Sequence, residues 1–276
     1  MKEIPKLIHQ IWYQGEENIP IEYLKYSKSW TKLNPDYDHL IWDENSIDKL
    51  IRKKFKNYYN LYLSFPNMIQ KIDFAKYCII HEYGGVYVDM DCECIKPISK
   101  IFLKKRLLYV VDLEIDIFEK VLANYYGKQL FNNGWFASLP KIPVWHLLLK
   151  HIKRVNLERE WYETNISYIF RTTGPKIFSE VLSSYIEQEQ RVYILKSSEI
   201  DPIKWCDYTV PSQINYNDYP NSYSIHHYGS KRINGKSWQS NIEIIAGITL
   251  GYIKKLWIFI VLLIGLFFLD HAYPLF

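Results

Sequence analysis

The sequence predicts an α/β fold, and three observations carry that prediction. Apolar runs at Ile4 to Trp12, Tyr37 to Trp42 and Leu103 to Asp112 alternate with helix-period stretches, the order in which strands joined by crossover helices occur. In the stretch Ile69 to Ile98 a glycine pair separates a helical pattern from a β-rich one. At 276 residues the chain is long enough for one large domain with an appendage.

Ile4 to Trp12 reads as a first buried strand. Its end, Trp12 to Gly15, is a loop at the carboxyl edge of a parallel sheet, where open α/β folds place their ligands. No charged-then-apolar leader precedes it. Pro20 to Leu33 has Tyr23, Leu24, Ser27 and Trp30 at helical spacing and is stopped by Asn34-Pro35, after which Tyr37 to Trp42 forms a second strand. Asp43 to Phe65 is expected as one helix carrying the basic cluster Arg52, Lys53, Lys54 and Lys56. Such a cluster is a solvated face on the simpler view and an anionic membrane surface on the sharper one.

In the central stretch Ile69, Ile72, Ala75, Ile79 and Tyr83 recur as an apolar stripe, with Asp73 and Lys76 off it. Gly84-Gly85 fits a helix stop. In the strand that follows, a period of two puts Tyr87, Asp89 and Asp91 on one face and Val86, Val88, Met90, Cys92 and Cys94 on the other, the cysteines acting as small hydrophobes. Two carboxylates held about 7 Å apart repel, and burial strips their hydration unless a cation or donor groups replace the lost water. Mg²⁺ or Mn²⁺ answers that need with oxygen ligands. A solvated strand end would need no ion.

Further on, LLYVVD up to Asp112 reads as another buried strand. In FNNGWFASLP, Asn132 and Asn133 can each donate and accept, as selection among hydroxyls requires, while Asn133-Gly134 is also a strong turn signal. Val144 to Val155 is a helix whose His146 and His151 read as surface or packing residues, RTTGP at Arg171 to Pro175 as a fixed bend, and Val192 to Leu195 as a late strand. The pair His226-His227 is a packing or a metal-facing element, and imidazole suits Mn²⁺ better than Mg²⁺. Leu256 to Leu269 is apolar without a break but reaches only about 21 Å as a helix. It is expected to be a short C-terminal hydrophobic helix, an anchor or interfacial element, with Lys254-Lys255 at its entry.

A formal charge of +4 is too mild to imply nucleic acid. Aromatic residues at 17%, with 24 Tyr and 9 Trp, favour stacking on planar or sugar surfaces. The four cysteines lack paired C-x-x-C spacing, which argues against a zinc cluster or a disulfide framework.

The pattern Asp73, Lys76, Gly84-Gly85, Tyr87, Asp89 and Asp91 resembles the DXD region of glycosyltransferase family 32, whose members include mannosyltransferases acting on glycans and on inositol phosphoceramide, and more distantly the clostridial glucosylating toxins. Lys76 stands where that family has arginine, and lysine lacks the planar bidentate fork. The opening IPKLIHQIW, the Asn132-Asn133 run, Thr-Gly-Pro at Thr173 to Pro175 and the closing His226-His227 with Ser237-Trp238 follow the family's order, with a longer insertion before Ser237. The resemblance spans about Ile4 to Trp238 and implies a GT-A nucleotide-diphospho-sugar transferase fold, a Rossmann-like mixed sheet with flanking helices, in a catalytic domain over residues 1–240, followed by a membrane-associating segment over 241–276.

By the same resemblance the chain is a metal-dependent retaining hexosyltransferase using a GDP- or UDP-hexose, mannose first with glucose and galactose close behind, and Mn²⁺ or Mg²⁺. The acceptor is a glycan or glycolipid. Asp89 and Asp91, completed by one of His226 and His227, form the metal or diphosphate site, and Asp73 with Asp89 and Asp91 acts in catalysis. Ile8, His9, Gln10, Trp12, Asp73, Lys76, Tyr87, Asp89, Asn132, Asn133 and Trp238 surround the donor. The positive-inside bias of Lys254-Lys255 puts the catalytic domain on the cytoplasmic side, the endomembrane lumen being the alternative. Three other functions compete: a glycoside hydrolase, whose carboxylates must face each other across a sugar, a non-catalytic sugar- or lipid-binding protein on this scaffold, and a membrane adaptor indifferent to the aspartates.

Overall fold

The structure is a computed structural model that describes residues 2–113, 129–155, 157–161, 163–203 and 214–229. Trp238, Cys206, the basic insertion around Lys231 and the C-terminal segment over 241–276 lie outside the described residues. Among the described residues no helix is long and apolar enough to cross a membrane.

The chain opens with β1 (Leu7–Ile11), α1 (Ile21–Leu33) and β2 (Asp38–Trp42), close to the predicted runs. The expected single helix from Asp43 to Phe65 is broken into α2 (Glu44–Lys54) and α3 (Tyr59–Ser64) by a short 3₁₀ turn at Lys56–Tyr58. Asp43 caps α2, its carboxylate accepting the Ser46 N–H at 2.8 Å. Then come α4 (Met68–Tyr83), β3 (Gly85–Val88), β4 (Cys92–Cys94), β5 (Leu108–Asp112) and β6 (Phe131–Ser138). The remaining elements are α5 (Pro143–Arg154), α6 (Asn165–Thr172), α7 (Pro175–Ile186), β7 (Val192–Leu195), α8 (Ser197–Ile200) and β8 (Ser224–His226).

Six strands form one sheet in the order β2-β1-β3-β6-β5-β7. Within it β6 pairs antiparallel with both β3 and β5, while the other pairings are parallel. The fold is therefore mixed α/β with a parallel-rich sheet, as expected. One face packs Phe74, Tyr77, Phe136, Trp145 and Phe178 against α4, α5 and α7, and the other packs Ile8, Trp30, Val86, Tyr109 and Ile200.

Three local expectations are corrected. The strand predicted to run through both aspartates ends at Val88. Asp89 to Cys92 is a turn, closed by the Cys92 N–H donating to the Asp89 carbonyl at 3.1 Å, and β4 then joins β8 in a separate two-stranded ladder. Aspartate favours turns over strands, and two neighbouring carboxylates are relieved of side-by-side placement by leaving the sheet. Second, Asn133-Gly134 does not turn but lies inside β6, where the register with β5 slips between Val110 and Val111. A bulge of this kind re-aims side chains at a sheet edge. The stripe proposed for α4 is also rotated: Ile69 and Tyr83 are exposed, and Asp73 and Lys76 are buried.

Candidate active site

The carboxyl ends of β1, β3 and β5 and the start of antiparallel β6 meet at one edge of the sheet, because Val111 pairs with Asn132 and Asp112 with Phe131. Leaving β3, Asp89 is held by its backbone as much as by its side chain. Its N–H donates to the Gly134 carbonyl at 2.8 Å, and its own carbonyl accepts from Gln10 Nε2 at 3.2 Å. Tyr87 Oη donates to Asp89 Oδ1 at 2.7 Å, so the i, i+2 pairing read from the sequence survives the end of the strand.

Asp91 lies across the turn and is gripped by the returning chain. His226 Nε2 is 3.1 Å from Asp91 Oδ1, and the Gly229 N–H donates to Oδ2 at 2.7 Å. Burial pulls the Asp91 pKa upward, but His226 and the Gly229 N–H outweigh it and push it down to about 2. His226 is opposed by burial and favoured by Asp91 and Asp201, whose Oδ2 lies 3.4 Å from Nδ1, and the carboxylates raise it well above the ordinary imidazole value. Ligand atoms of Asp91, Cys92 and His226 all lie within 4.8 Å of one another, the one such group among the described residues. Cys92 faces His226 directly across the β4–β8 ladder.

His227 points elsewhere. Its Nε2 is 3.0 Å from Glu93 Oε2 and its ring stacks on Tyr26 at 4.0 Å, so of the two histidines it is His226 that reaches the aspartate.

A second buried cluster lies on α4. Lys76 Nζ is 2.7 Å from Asp73 Oδ1, Asn133 Nδ2 donates to the same oxygen at 3.2 Å, and Thr173 Oγ1 donates to Oδ2 at 3.1 Å. Burial raises the Asp73 pKa against the pull of Lys76. Burial lowers that of Lys76, but the Asp73 and Asp89 carboxylates more than restore it. The sequence reading of Arg171 to Pro175 as a bend missed Thr173, and nothing in the local pattern pointed to Asp201. That carboxylate takes the Asn132 amide at 2.8 Å and the Tyr228 hydroxyl at 2.7 Å through Oδ2, while its buried Oδ1 has no hydrogen-bond partner.

The remaining predicted donor residues divide. Gln10 is a buried tie between Asp89, Ser27 and His39. Trp12 is half-buried against Tyr23 at the end of β1, its indole N–H without a partner. Ile8 is fully buried in the core, and His9 bonds the Gly84 carbonyl and the Trp42 indole, held neutral by burial with a pKa pushed down to about 4. Those two are packing residues, a correction to their placement around the donor. Asn132 has both ends engaged, its Oδ1 accepting the Gly134 N–H at 2.6 Å.

Gly134 shows how tight this edge is. A Cβ there would sit 2.6 Å from Asp89 Oδ2 and 3.1 Å from Asn132 Oδ1. Gly134→Ala is therefore expected to displace the Asp89 carboxylate, lowering turnover by on the order of tenfold or more with a melting temperature near wild type. Unchanged turnover would mean that Asp89 does not need this position.

Residues 20–108 match a family described as the glycosyltransferase sugar-binding region containing the DXD motif. An uncharacterised glycosyltransferase of Acanthamoeba polyphaga mimivirus is 29% identical over 214 residues, covering 75% of this chain and 78% of that protein. Inositol phosphoceramide mannosyltransferase 1 of Schizosaccharomyces pombe is 26% identical over 241 residues, covering 86% of this chain and 63% of that protein, so the match spans less than two thirds of the fungal relative. Among solved structures, a glycosyltransferase involved in glycosylation of the major capsid of PBCV-1 gives a TM-score of 0.46 at 11% identity, over 83% of this chain and 95% of that one. Asp89-Met90-Asp91 falls inside the matched region, so the turn that carries both aspartates is similar to the sugar-binding region of the DXD-containing glycosyltransferases.

Proposed function

We propose that the chain is a GT-A enzyme that moves a hexose, mannose first among the candidates, from a GDP- or UDP-sugar to a glycan or glycolipid hydroxyl with retention at the anomeric carbon. The observation that carries this reading is the Asp91–His226 pair at the carboxyl edge of a parallel-rich sheet, inside a DXD turn. Its donor set, a carboxylate oxygen and an imidazole nitrogen, suits a divalent cation such as Mn²⁺, which would take the place of the proton that Asp91 and Asp201 otherwise hold on His226. When bound, such an ion supplies positive charge beside the departing diphosphate.

The protein's own groups supply the rest. Asp91 is kept anionic by His226 and the Gly229 N–H, and Asp201 fixes the opposite nitrogen of the imidazole, as carboxylates behind ligating histidines do. Asp73, held on both oxygens, presents a fixed acceptor to sugar hydroxyls, and Lys76 beside it offers charge toward the sugar or diphosphate. In the transfer the bond from the sugar's anomeric carbon to the β-phosphate oxygen breaks, an acceptor oxygen bonds that carbon, and the acceptor's proton leaves with the nucleoside diphosphate or solvent. No nucleophile is assigned. The apolar C-terminal run would keep the enzyme at a membrane, where a glycolipid acceptor would be met.

The test is a panel of nucleotide sugars with Mn²⁺, read by release of nucleoside diphosphate and by melting temperature. The correct donor at a hundredfold excess over its dissociation constant adds about 2.7 kcal/mol, a rise of several degrees, and a chelator abolishes both responses. Chelator-insensitive turnover, or no response to any donor, would sink the reading.

A further inference from the structure

We infer that the chain carries a docking surface for anionic lipid on a face that supplies none of the residues around Asp91. The surface is a cleft of about 460 Å³ lined by Asn57, Tyr58, His146, Lys150, Lys153 and Arg154. It lies between α5 and the turn that joins α2 to α3.

The helical period makes the cleft. On α5 the buried residues Val144, Trp145, Leu148, Leu149 and Ile152 form the core stripe, which leaves His146, Lys150, Lys153 and Arg154 one or two turns apart on the outer face. Lys153 donates to the Asn57 carbonyl at 3.2 Å and sits 5.5 Å from the Tyr58 ring centroid, so the floor of the cleft is fixed. No carboxylate lines it. Several cations nearby are neutralised: Arg52 pairs with Asp48 at 3.0 Å, Lys54 with Glu82 at 3.1 Å, and Glu180 lies 3.9 Å from both His151 and Lys176. Among the described residues, Lys150 and Arg154 pair with no carboxylate. Like charges held within a Debye length of one another favour an external anion. Of the basic run at Arg52 to Lys56, Arg52 and Lys54 are thus neutralised while Lys53 and Lys56 pair with no carboxylate among the described residues, and α5 adds Lys150 and Arg154, which sequence proximity does not reveal.

Two further features select lipid over a soluble anion. Leu147, on the same helix and 45% exposed, places an apolar side chain one turn from Lys150 and His151. The same chain contains the apolar run Leu256 to Leu269 after Lys254-Lys255. A short apolar insert holds a protein to a bilayer only weakly, and a basic patch is the usual second contact. This inference goes beyond the transfer reaction and stands whichever donor is used.

The test uses the full chain and vesicles of phosphatidylcholine alone or mixed with phosphatidylserine. Wild type is expected to partition more strongly onto the anionic vesicles, the more so at low salt. The double variant Lys150→Ala, Arg154→Ala should lose about thirtyfold in that partition, taking each basic residue near the surface at about 1 kcal/mol. Its binding to neutral vesicles, its melting temperature and its release of nucleoside diphosphate in solution should not change, and the exchange Lys150→Arg, Arg154→Lys should keep the preference. An undiminished preference in the double variant would overturn the proposal. So would a wild type that ignores lipid charge yet is stabilised by inorganic phosphate, which would make the cleft a site for a soluble anion.

Discussion

Asp91→Asn is expected to give a folded protein whose sugar transfer is roughly a hundred- to a thousandfold slower, the usual loss when a group aimed at developing charge is removed. The reason lies in what holds the side chain. Asp91 accepts from the Gly229 N–H and faces His226, and this environment keeps it anionic to a pKa of about 2. An amide of the same shape keeps the packing and loses the charge, while His226 retains Asp201 as counter-ion. The measurement is nucleoside-diphosphate release as a function of Mn²⁺ concentration, with melting temperature as the control for folding. A variant with wild-type rate and wild-type metal dependence would remove Asp91 from the mechanism.

Asp73→Ala is expected to act on stability as well. It leaves the Lys76 ammonium, 3% exposed, without its carboxylate at 2.7 Å. Breaking a buried pair from one side costs about 3–5 kcal/mol, because an uncompensated charge remains inside. For a chain of this size that is a fall in melting temperature on the order of 10 °C. Removing both charges, as Asp73→Ala with Lys76→Met, should recover most of the loss in stability and none in activity. A single variant that melts with wild type would show that the pair is not isolated from water as its burial implies.

The same pair explains one part of what the sequence concealed. Charged residues were read as lying off the core stripe of α4, yet Asp73 and Lys76, one turn apart, satisfy each other and go inside together. Periodicity registers hydropathy, not mutual neutralisation. The runs that became β1, α1, β2, β5 and β7 were legible because each follows one period between clear breaks. The DXD segment was not, since a strand and a strand followed by a turn share the same short alternation until a partner strand is known. Asn133-Gly134 was ambiguous for a related reason: a turn dipeptide inside an apolar run is also how a bulged strand reads. Thr173 and Asp201 act across 100 and 69 residues of chain, on Asp73 and Asn132, and no local pattern records such distances.

The little ladder of β4 with β8 has a consequence for the order in which the enzyme comes into being. Every strand of the main sheet precedes Ser224 in the chain, whereas the imidazole and the amide that clasp Asp91 follow it. During synthesis the sheet can close while the aspartate turn still lacks its clasp, which forms only when the stretch from Ser224 to Gly229 has emerged and doubled back.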